Sequence, residues 1–233
     1  ALRDAAVMHH TSVCVVAPDA AWEHIQALRW SLEDKGLWRW PPHANLLYPF
    51  IAPHHFHAAA IVLAAALANV QPFDVTLSEL KIFAHKRSAT LWLHPEPSRD
   101  GAFVELHAAL QSALPQCRTR PDLEGPFTAH VTVGHFESEA AAAQARDRAL
   151  LSGIMPAGGV TFSVSEVILM ARDEGADGQF EPRFRVRLGG GEGTVLGPLP
   201  CGVTFPGMPS ERPAFTVVTT GARRRKPRRK AKA

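Results

Sequence analysis

Two short motifs place a histidine two residues before a small hydrogen-bonding side chain. The first motif is His43-Ala44-Asn45-Leu46 and the second motif is His130-Val131-Thr132-Val133. Both lie in apolar, strand-like runs of sequence. Because alternate residues of a strand share one face, each motif presents an imidazole beside an amide or a hydroxyl on the same surface.

Two such surfaces facing each other across a groove would suit in-line chemistry at a phosphodiester. Histidine titrates near neutrality, so one imidazole can be neutral while another is protonated at the same pH. A neutral His43 or His130 can take a proton from water or a ribose hydroxyl, and its protonated counterpart can give one to the leaving oxygen. Each well-placed proton transfer is worth roughly 10²–10⁴-fold in rate. The Thr132 hydroxyl and the Asn45 amide are donors for the non-bridging oxygens, so the motifs predict catalysis without metal or other cofactor.

The segments around the motifs, 41–50 and 127–135, resemble the two motif strands of the 2H phosphoesterase superfamily. That superfamily includes the 2'-5' RNA ligases and cyclic nucleotide phosphodiesterases, and its signature is a pair of His-x-Thr/Ser-x boxes. Here the histidines are 87 positions apart, at residues 43 and 130, a spacing usual in the family. The resemblance covers about residues 10–188.

The resemblance implies an α+β fold in which two pseudo-symmetric lobes of mostly antiparallel sheet, with outer helices, surround a central groove. It also implies a substrate such as an RNA end or a nucleotide with a 2',3'-cyclic phosphate or a 2'-5' linkage. His43 and His130 would be the catalytic residues.

Three further positions complete the candidate site. Asn45 stands where the first box usually has Thr or Ser; it can still donate to a phosphate oxygen, but it is bulkier. His135 stands where relatives often have an arginine or another polar residue, and strict alternation points it away from the face of His130 unless the strand bulges. Tyr48, the only tyrosine of the chain, lies opposite His43 by the same alternation, which predicts a core residue or one that stacks on a base. The candidate substrate-binding residues are therefore Asn45, Thr132, Tyr48 and His135.

Hydrophobic periodicity predicts the elements that hold these motifs. Strands are expected at 11–17, 73–83, 90–93, 160–170 and 180–188, and helices at 19–34, 53–70, 101–114 and 139–151. Interleaved strands, helices and hairpins indicate an α+β fold and not a doubly wound α/β fold. Each half of the chain runs strand, helix, strand around one motif.

The composition divides the chain into a domain at 1–188, a Gly/Pro-rich extended linker at 189–220 and a basic tail at 221–233. The tail holds eight basic residues, Arg223, Arg224, Arg225, Lys226, Arg228, Arg229, Lys230 and Lys232. Of the 25 basic residues 17 remain outside it, against 22 acidic ones, so the body is acidic. Blocks of like charge often contact nucleic acid, and we expect RNA as the partner of the tail. A solubilising tail and a nuclear localisation signal are the alternatives.

Other features narrow the class of protein. No apolar run approaches the ~18 residues of a membrane span, so no membrane association is expected. Three cysteines without a close-spaced pair indicate reduced thiols in an intracellular protein, cytoplasmic or mitochondrial. His54 and His57 could share a helix face, but no acidic or cysteine residue stands nearby, which favours a helix start over a metal site. A Gly-x₄-Gly-Lys loop is absent from the sequence, which disfavours ATP hydrolysis.

Three hypotheses follow. The first is a metal-independent phosphoesterase that acts on RNA ends or nucleotides through His43 and His130. The second is a catalytically silent RNA-binding subunit that docks on a ribonucleoprotein complex through its basic tail, which Asn45 and the linker also favour. The third is a module that binds a mononucleotide without turnover.

Overall fold

The computed structural model of the 233-residue chain describes residues 2–117, 127–173, 178–191 and 193–215, so the predicted tail at 221–233 lies outside the described residues. The protein is α+β. In chain order its strands and helices are β1 (Val7–Met8), β2 (Thr11–Val16), α1 (Asp19–Ser31), β3 (His43–Leu47), β4 (Phe50–Ile51), α2 (Phe56–Leu67), β5 (Phe73–His85), β6 (Ser88–Pro97), α3 (Ala102–Ala113), β7 (Val131–Phe136), α4 (Glu139–Leu151), β8 (Val160–Val164), β9 (Glu166–Ala171), β10 (Glu181–Arg187) and β11 (Val195–Leu196). Short 3₁₀ turns occupy Leu2–Asp4, Pro53–His55 and Pro115–Cys117.

Two antiparallel sheets form the two lobes. The five-stranded sheet has the order β11-β10-β9-β2-β3, and the four-stranded sheet has the order β7-β6-β5-β8. A short ribbon pairs β1 with β4. The first motif lies on β3, at the edge of the five-stranded sheet, and the second begins just before β7, at the edge of the four-stranded sheet. These two edge strands lie against each other, so each lobe brings one motif to their junction.

The predicted single strand at 160–170 is wrong. The chain breaks at Ser165, and β8 joins the four-stranded sheet whereas β9 joins the five-stranded sheet. The Ser165 carbonyl accepts a hydrogen bond from the amide of Leu188 (2.9 Å) at the crossing. β8 alternates buried and exposed residues whereas β9 is almost entirely buried, and no glycine or proline in 160–170 marks the break between them.

The helices cover the lobes through apolar faces. α1 packs on β7 and β8 with Ile25 and Leu28 buried, and α4 packs on β5, β6 and β7 through a row of small alanines. α4 begins where the Ser138 hydroxyl accepts a hydrogen bond from the amide of Ala141 (3.2 Å), an N-cap. The predicted helix at 19–34 ends earlier, at Ser31, and the one at 53–70 is α-helical only over Phe56–Leu67. Within the described ranges, none of the helices combines the length and apolarity that crossing a bilayer requires.

The segment 193–215, here called the C-terminal strap, lies on the body of the protein. β11 pairs with β10, and Phe205 is buried against Trp22, with ring centroids 6.3 Å apart. Further along, the Gln179 amide donates to the carbonyl of Pro209 (2.7 Å). The division of the chain into a domain, a linker and a tail stays a prediction.

Candidate active site

A β-bulge interrupts both motif strands at the same offset from the histidine. In β3 the extra residue is Leu46, because Cys14 lies opposite Asn45 whereas Val13 lies opposite Leu47. In β7 the extra residue is Val133: Trp92 pairs with Thr132, and Leu91 pairs with Gly134. Each bulge therefore falls three residues after its histidine.

The bulges change which residues share a face. An extra residue shifts the alternation by one, so the residue five positions after each histidine returns to the histidine's face. Strict alternation put Tyr48 opposite His43, and that expectation is wrong. His135 was expected to share the face of His130 only if the strand bulges, and β7 does bulge. One face thus carries His43, Asn45 and Tyr48, and the other carries His130, Thr132 and His135; all but the exposed His135 are half-buried.

His43 is fixed at both ring nitrogens. Nδ1 lies 2.7 Å from the carbonyl oxygen of Pro41, and because a carbonyl only accepts, Nδ1 carries the proton. Nε2 lies 3.0 Å from the amide nitrogen of Asn45. The ring also stacks on Trp40, with centroids 4.6 Å apart and planes 11° from parallel.

The surroundings keep His43 neutral. Burial lowers the pKa of His43 to about 3, and the positive charges of Arg29 and His130 act in the same direction. The Pro41 carbonyl and Asp34 oppose the shift without cancelling it. At neutral pH the imidazole is therefore a proton acceptor.

His130 makes the same backbone hydrogen bond as His43. Its Nδ1 donates to the carbonyl oxygen of Thr128 (2.9 Å), again two residues earlier in the chain. Its ring meets those of Phe83 (5.1 Å between centroids, 87°) and Trp92 (5.9 Å, 71°) nearly edge-on. Burial lowers the pKa of His130, against the opposing effect of the Thr128 carbonyl. Both histidines thus carry the Nδ1 proton and keep Nε2 for chemistry.

A buried ion pair lies next to the site, and no pattern in the sequence predicts it. Arg29 Nε lies 2.8 Å from Asp34 Oδ2, and the two side chains are 3% and 1% exposed. Arg29 also donates to the carbonyl of Trp40 (2.8 Å), which fixes the loop that carries the ring under His43. Nothing in the sequence distinguishes this pair from the exposed ion pairs common at helix ends.

Asp34 also holds His135. Its Oδ1 accepts hydrogen bonds from the Gly36 amide (3.0 Å) and from His135 Nδ1 (3.2 Å). Burial alone would raise the pKa of Asp34, but the hydrogen bonds and the charge of Arg29 outweigh it and lower that pKa to about 2. The carboxylate is therefore ionised at neutral pH and orients His135 on the second motif strand.

Aromatic rings pack beside the first motif. Trp40 stacks on Phe180 (3.7 Å between centroids) as well as on His43, and the Tyr48 ring meets it edge-on at 5.6 Å. The Tyr48 hydroxyl donates to the carbonyl of His9 (3.0 Å). Burial raises the pKa of Tyr48, so its hydroxyl stays protonated. Trp40 was not predicted as a site residue; its position directly before Pro41, Pro42 and the first histidine was the available signal.

The histidines at the start of α2 lie apart from this arrangement. The rings of His54 and His55 are 4.1 Å apart, and His57 lies against Phe184 (6.1 Å). In the part of the chain that the structure describes, no three His, Cys, Asp or Glu side chains are grouped as a metal site needs.

A family model identifies the family of this chain, and solved structures show its fold. The family model described as the 2'-5' RNA ligase superfamily matches residues 17–176. The structure of E. coli LigT complexed with 3'-AMP aligns with a TM-score of 0.52 and 18% identity, covering 77% of this chain and 98% of that one. TT0787 of Thermus thermophilus aligns with a TM-score of 0.52 and 16% identity, with the same coverage of 77% and 98%. A phosphate complex of E. coli LigT aligns with a TM-score of 0.51 and 18% identity over 78% of this chain and 99% of that chain. Among curated proteins there is no significant match.

Proposed function

The chain belongs to the 2'-5' RNA ligase superfamily, the 2H phosphoesterases, and from that membership we propose that it hydrolyses or forms phosphodiesters at RNA ends or in nucleotides by two-histidine catalysis. The substrate we propose is a 2',3'-cyclic phosphate or a 2'-5' linkage. E. coli LigT has been crystallised with 3'-AMP and with phosphate, and ligands of that chemistry support a nucleotide-sized substrate for this fold.

One observation carries the proposal: His43 and His130 share the same backbone hydrogen bond and the same bulge offset, and the strands β3 and β7 of their motifs lie against each other. In each, Nδ1 donates to the carbonyl two residues earlier. In each, a bulge follows three residues later and returns the fifth residue to the same face. A packing histidine needs no such repeated setting, whereas a reaction that needs both a base and an acid does.

In the hydrolytic direction one histidine takes a proton from water as the water oxygen bonds to phosphorus. The other gives its proton to the ribose oxygen as the P–O bond of the cyclic ester breaks. The products are a phosphomonoester and a free hydroxyl, and proton exchange with solvent restores both imidazoles. The Thr132 hydroxyl, on the face of His130, donates to a non-bridging oxygen, and the negative phosphate raises the pKa of a nearby histidine toward the protonated state that the acid needs.

The test is hydrolysis of an oligonucleotide that ends in a 2',3'-cyclic phosphate, with a chelator present and the products separated by chromatography. His43→Ala and His130→Ala are each expected to lower kcat by at least about 10²-fold. His54→Ala, a histidine on the 3₁₀ turn before α2, is the matched control and is expected to keep wild-type turnover. Retention of activity in either motif variant would remove the two-histidine mechanism.

A second candidate is the catalytically silent RNA-binding subunit that docks on a ribonucleoprotein complex. The observation in its favour is the Asn45 amide, which occupies Nε2 of His43 at 3.0 Å in the free protein. The eight basic residues of the tail would supply phosphate contacts. Such a protein binds single-stranded RNA with a log–log salt slope of about −0.7 per contact and releases no product.

A further inference from the structure

Asn45 does not occupy the place of a simple phosphate clamp, because its amide already contacts the reactive nitrogen of His43. We infer that Asn45 is a positioning residue that holds His43 as the neutral base, which leaves His130 as the acid. This assignment rests on the proposed two-histidine reaction and goes further, since the motifs by themselves are symmetric.

The orientation of the Asn45 amide is set by donors on β2. Its Oδ1 lies 2.7 Å from the Ser12 hydroxyl and 3.2 Å from the Cys14 thiol. The single Ser12 proton has its nearest acceptor in Oδ1, since the two alternatives, the Cys14 sulfur and the carbonyl of Leu47, are 3.1 Å and 3.2 Å away. Burial raises the pKa of Cys14, so the sulfur keeps its proton and also donates. Two protic groups therefore converge on one side of the amide, which identifies that side as the oxygen.

The other side of the amide fixes the protonation of His43. With Oδ1 toward β2, the Asn45 NH₂ faces His43 Nε2 at 3.0 Å. Nδ1 already donates to Pro41, so Nε2 must accept, and the ring is the neutral Nδ1–H tautomer. Protonation at Nε2 would put two donors against each other, and the amide would then have to turn its NH₂ toward the Ser12 and Cys14 donors.

The second motif lacks this constraint. At the offset of Asn45 it has Thr132, whose single hydroxyl rotates and accepts from an imidazolium as readily as it donates to a phosphate. Protonated His130 therefore meets no opposing amide on its own strand. The difference between asparagine and threonine at equivalent positions thus breaks the symmetry of the two motifs in favour of His43 as base.

The contact between the Asn45 amide and His43 Nε2 must be broken when substrate binds. The attacking water or hydroxyl takes the place of the Asn45 N–H at Nε2 and transfers its proton there as its oxygen bonds to phosphorus. His130 gives its proton to the leaving oxygen, so one proton enters the pair and one leaves it.

The direct test is nitrogen NMR of the full chain with ¹⁵N-labelled histidine, followed across pH. In the wild type, His43 Nε2 is expected to read as the unprotonated nitrogen throughout the range in which the protein stays folded. Asn45→Asp replaces the donor with a charged acceptor and should raise the His43 pKa by roughly one to three units. Ser12→Ala, which removes the hydroxyl that orients the amide, should raise it by less.

Thr11→Val is the matched control for Ser12→Ala. Thr11 is equally buried on the same strand, but its hydroxyl donates to the carbonyl of Phe50 (2.8 Å) and not toward Asn45. It should leave the His43 pKa where it is. A wild-type His43 with its proton on Nε2, or an Asn45→Asp variant with an unmoved His43 pKa, would overturn the inference.

Kinetics distinguish positioning from phosphate clamping. If Asn45 only clamps phosphate, Asn45→Leu should raise KM with little change in kcat. If Asn45 positions His43, Asn45→Leu should lower kcat and shift the acid limb of the pH profile, with KM nearly unchanged. Asn45→Thr, with a hydroxyl that can meet Nε2, should recover part of kcat. If no substrate is turned over at all, the proposed function fails, and the NMR result still decides the state of His43.

Discussion

Replacing Asp34 with asparagine tests whether the buried ion pair supports the site. The carboxylate is 1% exposed and faces Arg29 at 2.8 Å. Its pKa falls from 3.8 to about 2, and at about 1.36 kcal/mol per unit this lowering favours folding at neutral pH by about 2.5 kcal/mol. A second estimate of the same interaction comes from comparable buried pairs, in which removing one partner leaves the other charge uncompensated and costs about 3–5 kcal/mol; the two estimates overlap and are not added. We therefore expect Asp34→Asn to lower the free energy of unfolding by about 3 kcal/mol.

Urea unfolding at neutral pH measures this change, with the m-value checked for constancy. Glu105→Gln is the matched control: Glu105 pairs with Arg99, but both side chains are about half exposed, and such pairs contribute about 0–1 kcal/mol. The double variant Arg29→Met with Asp34→Leu should be less destabilised than Asp34→Asn, because it removes both charges together. A loss below about 1 kcal/mol in Asp34→Asn, or a double variant as unstable as the single one, contradicts the reasoning.

The pH dependence gives an independent check of sign. Asp34 has a folded pKa below its unfolded value, so its contribution is complete above about pH 4 and is lost as the pH falls toward 2. Asp34→Asn should flatten the stability curve in that window and only there.

Three further outcomes are expected. The profile of kcat/KM against pH for a 2',3'-cyclic phosphate should peak below pH 6.5. Activity needs a neutral His43, whose pKa is about 3, and a protonated His130, whose pKa is lowered by burial. A peak above pH 7 contradicts this expectation. Deleting 221–233 should flatten the salt dependence of RNA binding, measured by fluorescence anisotropy, and leave turnover of a mononucleotide cyclic phosphate unchanged. Gly134→Ala should lower the free energy of unfolding in urea by about 1–3 kcal/mol, since a Cβ there meets the Phe136 ring at 2.9 Å.

The elements that sequence predicts well are those with strong local signals. The helix at 139–151 coincides with α4, because Ser138 provides the cap and the alanines supply both helix propensity and a buried row. The α+β class follows from the interleaving of such segments, and the structure confirms it. The pairing of the two motifs came from their resemblance to a family and not from any local signal.

The elements that sequence missed depend on contacts between distant residues. In the sequence, Arg29 and Asp34 look like an ordinary pair of charges at a helix end, and only the folded structure shows that both side chains are buried. Ser12 and Cys14 look like core strand residues, and only the register of β2 against β3 brings them to Asn45. The switch of sheets at Ser165 likewise needs the positions of β2 and β5, which the residues of 160–170 do not encode.

The bulges are different, because a signal for them lies in both motifs. In each motif the sequence places two nonpolar residues in a row after the hydrogen-bonding residue, Leu46 with Leu47 and Val133 with Gly134, and in the structure both members of each pair are buried. A regular strand would have to turn one member of each pair onto the face of the histidine, whereas a bulge lets both face the interior and returns the next residue to the histidine's face. Because this doubling occurs at the same offset in both motifs, it predicts paired bulges. The face of each strand that carries the histidine then holds the residues at offsets zero, two and five. Substitution of the fifth-position side chains, Tyr48 and His135, should therefore alter substrate preference more than stability.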